Sequence, residues 1–317
     1  MSRPLVSLVL RNAPNVSDES RRRVLEAAKE LGYRPNAFAR RLASKRTSTI
    51  GVLITDMTNP YFGAVYTSIA TAAERAGYDL LVAPGMRSPA KETHLINTLL
   101  EHRVAGLVLT TPLMPTGELR QVCAGWPTVV VGREVSIAGI DVVTTDEQHA
   151  ALMIISRLVE LGHRDVVHIT GGANRPARDR ATAYRRAMAE FGLEPREVQA
   201  SFSETGGQLA GRRVVEMRPL PTAVIAANDL IAVGAMGVFR SAGLNVPGDV
   251  SVVGYDDSHV AQLALVQLTS VRQATDRFGE AAVSMLAERI EQARAGNQIQ
   301  RLQASLIERS TTGPAPS

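Results

Sequence analysis

From Thr49 onward, short runs of Val, Ile and Leu alternate with longer amphipathic stretches, the pattern produced when parallel strands are joined by crossover helices. The predicted strands are 49–54, 79–83, 106–109, 128–131, 141–144, 166–169, 223–226 and 250–253, mostly continuous apolar runs of the kind covered on both faces. Helical periodicity lies near 61–76, 90–102, 147–161, 179–191, 206–216, 229–242 and 276–293. Gly77, Gly162, Gly192 and Gly243 each stand just past one of these helices, where a left-handed residue ends a helix well.

A break near Asp146 to His149 divides the units into two similar halves. The fold class expected is α/β, two doubly wound parallel-sheet subdomains with a cleft at the carboxyl ends of the strands. A closed barrel of eight βα units has similar periodicity; the split pattern argues against it. The first 47 residues read as a small all-α segment. Pro4 suits the first turn of a short helix whose apolar side is Leu5, Val6, Val9 and Leu10. Ser17 can cap a second helix with Asp18 and Glu19 in its first turn, and Asn36 to Ser44 can form two helical turns that need a partner to persist.

Charge sharpens this division. Residues 1–48 hold 11 basic and four acidic side chains, a net +7 within a chain whose total is +4. A basic head on a mildly acidic body points to one part that meets a polyanion. No apolar run reaches the roughly 18 residues of a membrane span, and the N-terminus lacks the pattern of a secretory signal, so the expected location is the cytoplasm. Cys123 has no intrachain partner and reads as a small buried hydrophobe. No phosphate-loop, dinucleotide, zinc-protease or nucleophile-elbow pattern is present, and His163 reads as structural. Neither an enzyme nor a cofactor nor a metal is expected.

Several motifs, taken in order, resemble one family. Leu5 to Leu10, Val16-Ser17, Arg23-Val24-Leu25 and Leu31-Gly32-Tyr33-Arg34-Pro35-Asn36-Ala37 resemble the DNA-binding headpiece of the lactose and galactose repressor family. The match continues through Thr49-Ile50-Gly51-Val52, Asp56-Met57-Thr58-Asn59-Pro60-Tyr61-Phe62, Leu161-Gly162-His163-Arg164, Ala227-Asn228-Asp229 and Gly254-Tyr255-Asp256-Asp257. The resemblance implies a homodimeric, ligand-responsive repressor of carbohydrate-uptake or catabolic genes. It binds a palindromic operator in double-stranded DNA, and its body is of periplasmic-binding-protein type. On that basis 1–47 is the headpiece, with a hinge helix at 36–44. The body, 48–317, divides into an N-subdomain of about 48–147 plus 275–305 and a C-subdomain of about 148–274.

Carried over residue by residue, the resemblance assigns Arg3, Pro4 and Ser7 to the groove-reading helix. Arg3 is suited to a bidentate guanine contact and Pro4 to apolar contact alone. Ser7, Asn15, Ser17 and Arg34 become phosphate contacts, while Asn36, Ala39 and Leu42 belong to the hinge helix, with Leu42 the minor-groove wedge. Family members begin with a further helix that packs on the recognition helix. Without it Leu5, Val6 and Val9 should lose their cover, at about 1.5 kcal/mol each. The expectation is a reading frame that extends upstream of Met1, where the family often has Val and a GTG codon is read either way.

For a sugar or polyol effector the resemblance selects Asp56, Tyr61, Phe62, Asp146, Arg180, Phe202, Asn228 and Asp256, polar groups at strand ends beside apolar rings. Val266-Gln267 stands where the family has two prolines. Two other readings fit the body alone. A sugar-binding solute receptor is opposed by the basic head, and an α/β enzyme by the lack of catalytic residues.

Overall fold

A computed structural model describes residues 3–10, 15–31, 47–172, 174–292 and 296–316. Two compact units emerge, Met1–Thr47 and Ser48–Ser317. In the first, α1 (Arg3–Leu10) packs against α2 (Asp18–Glu30). Ser17 caps α2, its Oγ accepting from the Ser20 amide, with Asp18 and Glu19 in the first turn and Lys29 in the last. Val9 and Val24 are both buried at 3% exposure, and Leu5 and Val6 are half-buried. The expected loss of cover therefore does not hold for Val9. Asn15 and Ser17 are exposed ahead of α2. The side chains of Arg3, Pro4 and Ser7 lie outside the described residues, as does the whole segment carrying Arg34, Asn36, Ala39 and Leu42, the hinge helix included.

The second unit holds two six-stranded sheets rather than a barrel. The strands of the first lobe are β1 (Thr49–Ile54), β2 (Asp79–Pro84), β3 (Gly106–Thr110), β4 (Thr128–Val131), β5 (Ile140–Thr145) and β11 (Ile299–Leu302), all parallel in the order β11-β5-β4-β3-β1-β2. Its helices are α3 (Pro60–Arg75), α4 (Pro89–Glu101), α5 (Thr116–Val122) and α11 (Thr275–Ile290). The second lobe has β6 (Val166–Thr170), β7 (Arg196–Gln199), β8 (Ala223–Ala226), β9 (Ser251–Asp256), β10 (Thr269–Arg272) and β12 (Ser305–Ile307), ordered β12-β10-β9-β8-β6-β7 with only β12 antiparallel. Around it lie α6 (Glu147–Glu160), α7 (Arg175–Glu190), α8 (Glu204–Val215), α9 (Asp229–Ser241) and α10 (His259–Gln262).

Every residue of β1, β3, β5, β6 and β8 is buried, which is why these strands read mostly as apolar runs, with Asp141 in β5 and His168 in β6 as buried polar exceptions. All eight expected strands are present, and Gly77, Gly162, Gly192 and Gly243 all have positive φ past their helices. The helix expected to run to 293 ends at Ile290. The chain crosses between lobes three times: after β5, between β10 and α11, and between β11 and β12. In both lobes the strand order reverses between the first and third strands in sequence (β1/β3 and β6/β8). That puts a crevice at their carboxyl ends, the usual ligand position in doubly wound sheets.

Candidate ligand-binding cleft

The two crevices face one another and share one cavity. Asp56, Tyr61 and Phe62 reach it from the first lobe, and Arg180, Phe202, Asn228 and Asp256 from the second. Asp146 is not brought there. It caps α6, its carboxylate accepting from the His149 amide at 3.0 Å, and faces an open depression beside the cleft. A carboxylate directly ahead of a helix bonds that helix's orphan amides more readily than it turns into a neighbouring crevice.

Local structure fixes each remaining group. Asn59 caps α3 by accepting from the Tyr61 amide at 3.0 Å, and Pro60 takes the first helical position, so Tyr61 and Phe62 leave the first turn together, edge to face at 5.1 Å. Phe202 lies across the backbone of Gly171, where a Cβ would sit 2.1 Å from the ring. Only glycine makes room for that ring.

Asn228 has two roles. Its Oδ1 caps α9 by accepting from the Ile231 amide at 2.9 Å. Its Nδ2 is buried in the cavity wall without a hydrogen-bond partner among the described residues, and the residue is 1% exposed. A buried donor left unmade is costly, so such a group marks where an acceptor is expected.

Arg180 is almost fully engaged within the protein. Nε and Nη2 donate to Glu147 at 3.1 and 3.0 Å, Nη1 donates to the Ala227 carbonyl, and the guanidinium lies 3.4 Å over the Tyr255 ring. The Tyr255 hydroxyl donates to the same Glu147 at 2.8 Å. Asp256 adopts φ 110°, rare for a side chain bearing Cβ, and accepts from Gln273 Nε2 at 2.7 Å. Burial first, then the neighbouring Asp229 carboxylate, pushes Asp256 well above the usual carboxylate range. Its protonated form can donate as well as accept.

Among the wall residues that escape sequence reasoning are Glu147, Gln273 and Arg87. Glu147 reads as a first-turn acid that complements a helix dipole. Gln273 sits at a crossover, its Oε1 accepting from Thr145 at 2.6 Å, so it ties two of the three crossings to Asp256. Arg87 follows a strand and has no periodicity to mark it. Among the described residues no group of His, Cys, Asp and Glu could hold a metal, and no helix is long and apolar enough to cross a membrane.

The two units are similar to different parts of known proteins. Residues 2–36 match the model of bacterial regulatory proteins of the lacI family, and residues 155–312 match a periplasmic binding protein-like domain. The catabolite control protein A of Priestia megaterium is 31% identical over 294 residues, covering 91% of this chain and 89% of that protein. The ribose operon repressor of Escherichia coli K12 is 32% identical over 317 residues, covering 98% and 96%. Among solved structures, the lac repressor dimer bound to operator and the anti-inducer ONPF superposes with a TM-score of 0.86 at 27% identity, covering 99% of this chain and 96% of that one.

Proposed function

Because the chain belongs to the lacI family of bacterial regulatory proteins, we propose that it is a homodimeric transcriptional repressor of carbohydrate-uptake or catabolic genes, acting in the cytoplasm. Its grip on a palindromic operator is set by a sugar or polyol held between the two lobes. As a member of this family the chain is a regulator rather than an enzyme. In this reading 1–47 is the headpiece and 36–44 its hinge helix; Arg3, Pro4 and Ser7 face the major groove, with Ser7, Asn15, Ser17 and Arg34 on phosphates. Asn36, Ala39 and Leu42 enter the minor groove as a pair with the partner subunit's copies. Residues 48–147 with 275–305 form one subdomain and 148–274 the other.

The single observation that carries the effector site is the buried Asn228 Nδ2, a donor with no acceptor among the described residues, opposite the Tyr61 and Phe62 rings. Charge supports a neutral ligand: Arg180 pairs with Glu147, Arg87 with Asp56 at 3.3 Å, and Asp256 is biased toward its neutral form. A polyol supplies hydroxyl acceptors to Asn228 and a C–H face to the rings. The relative named as a ribose operon repressor makes D-ribose the first probe. Dimerisation is supported by Leu263 and Leu265, exposed at 43% and 92% after α10, since large uncovered apolar side chains mark contact surfaces. A ligand that favours one lobe arrangement shifts the population of operator-competent dimers by its differential affinity for the two states.

Thermal unfolding with D-ribose, other sugars, polyols and nucleobases tests the site. A true effector at a hundred times its Kd should add about 2.7 kcal/mol. Asn228→Ser keeps a capping oxygen, so it should lose most of that gain while holding intrinsic stability to within about 1 kcal/mol. Stabilisation by none of the probes, or an undiminished gain in the variant, contradicts the reading.

A further inference from the structure

Arg87 occupies the mouth of the cleft, in the turn between β2 and α4 of the first lobe. Its Nη1 donates to Asp56 Oδ2 at 3.3 Å on its own lobe and to the Phe202 carbonyl at 2.6 Å on the other. Other hydrogen bonds that join the lobes involve Gln273, at a crossover itself. The Arg87 bond is the one that spans the open side, among the described residues. Asp56 is held in turn by the Thr58 amide at 2.9 Å and its hydroxyl at 2.6 Å, so the anion that aims Arg87 is itself fixed. Phe202 is seated on Gly171, which fixes the acceptor.

The backbone at this point is unusual as well. Met86 and Arg87 both take left-handed conformations, with φ of 53° and 55°. Two successive side-chain-bearing residues in that region persist only where surrounding contacts over-determine them, and such strain gathers at functional turns. The contacts found are the Arg87 amide donating to the Thr55 carbonyl at 3.0 Å, Lys91 Nζ donating to Met86 Sδ at 3.7 Å, and the guanidinium bonds already described.

We propose that Arg87 is the positioning residue that latches the two lobes across the mouth of the cleft, setting how far the cleft stands open before an effector arrives. The inference rests on the cleft being the effector site, but the latch itself exists without ligand. Losing it should free the second lobe to swing about the three crossovers, because no other bond among the described residues spans the open side. Lys in its place can donate to Asp56 or to the carbonyl but lacks the planar fork that meets both with fixed geometry.

The test uses the full chain without ligand, spin-labelled at Asn97→Cys and Thr205→Cys, exposed positions on opposite lobes, with Cys123→Ser. Double electron–electron resonance should give a longer and broader inter-label distance in Arg87→Met, by several ångströms, with Arg87→Ala alike and Arg87→Lys in between. Thermal unfolding of each variant checks that it folds, and Met retains the aliphatic stem for that reason. A distance distribution in Arg87→Met or Arg87→Ala that superposes on the parent's overturns the proposal. So does an equal opening in Arg120→Ala, which removes an exposed first-lobe arginine with no role at the mouth. Neither result depends on which effector the cleft takes.

Discussion

His168 stands in the middle of β6, fully buried, its Nδ1 3.0 Å from the Ile225 carbonyl and its ring tilted against Tyr184 at 5.1 Å. That carbonyl can only accept, so the proton sits on Nδ1, and Nε2 is left without a partner among the described residues. Burial pushes the imidazole down from 6.5 to about 4. Between those values the unfolded chain binds the proton and the folded chain does not. The stability involved is therefore complete above pH 6.5 and is lost as pH falls toward 4, by about 3 kcal/mol. Urea midpoints at pH 7.5 and 4.5 should show an acid loss that shrinks by about that amount in His168→Leu; an unchanged loss would refute it. At this scale the sequence was informative for cleft-wall residues near the ends of strands: Asp56 and Asn228 lie just past strands and Asp256 ends one, whereas Arg180 stands in the second turn of α7 rather than at its start. Glu147, Gln273 and Arg87 were illegible because their roles depend on partners more than 30 residues away in the chain, such as Arg180, Thr145 and Phe202.

Helices α8 and α9 come closer than most pairs. A Cβ on Gly207 would stand 2.2 Å from the Ile231 carbonyl oxygen, and one on Gly234 2.1 Å from that of Glu204. Backbone atoms cannot yield as a flexible side chain does. Gly234→Ala should therefore force the helices apart and destabilise the second lobe by about 1 to 3 kcal/mol despite alanine's better helix propensity, read as a lowered calorimetric midpoint; a raised midpoint would contradict the close approach. Because α9 carries Asn228 at its N-cap, the same change should disturb the cleft. Elements with strong periodicity were readable from the sequence, and those missed share a cause. In β7, with the sequence Arg-Glu-Val-Gln, only Val198 is buried, and β11 and β12 are edge strands in which only Leu302 is fully buried. The seven-residue α5 is interrupted by Gly117, and α10 is one turn long. Their order comes from neighbours rather than from local pattern.

For the whole molecule, the body is divided into two lobes and the head carries the net positive charge. Two of the three crossovers are cross-linked by Gln273, while the C-terminal tail is fastened to the second lobe among the described residues. There Val252 donates to the Thr311 carbonyl at 2.7 Å, and His163 Nε2 lies 3.0 Å from the Gly313 carbonyl. Closure of the lobes need not disturb it. Burying the exposed Leu265 of each copy in a dimer predicts that Leu265→Asp dissociates the protein, seen by sedimentation as a shift from dimer toward monomer, and an unaltered dimer would place the interface elsewhere. The head's +7 within residues 1–48 predicts that operator affinity falls steeply with salt, since each neutralised phosphate releases counterions. The most direct measurement is fluorescence-anisotropy titration of the full chain against DNA from its neighbouring promoter, across a salt series and with the sugar that stabilises it in thermal unfolding. The account predicts specific binding with a steep salt slope and an affinity that the sugar changes. Binding that is absent, or indifferent to both salt and sugar, would contradict it.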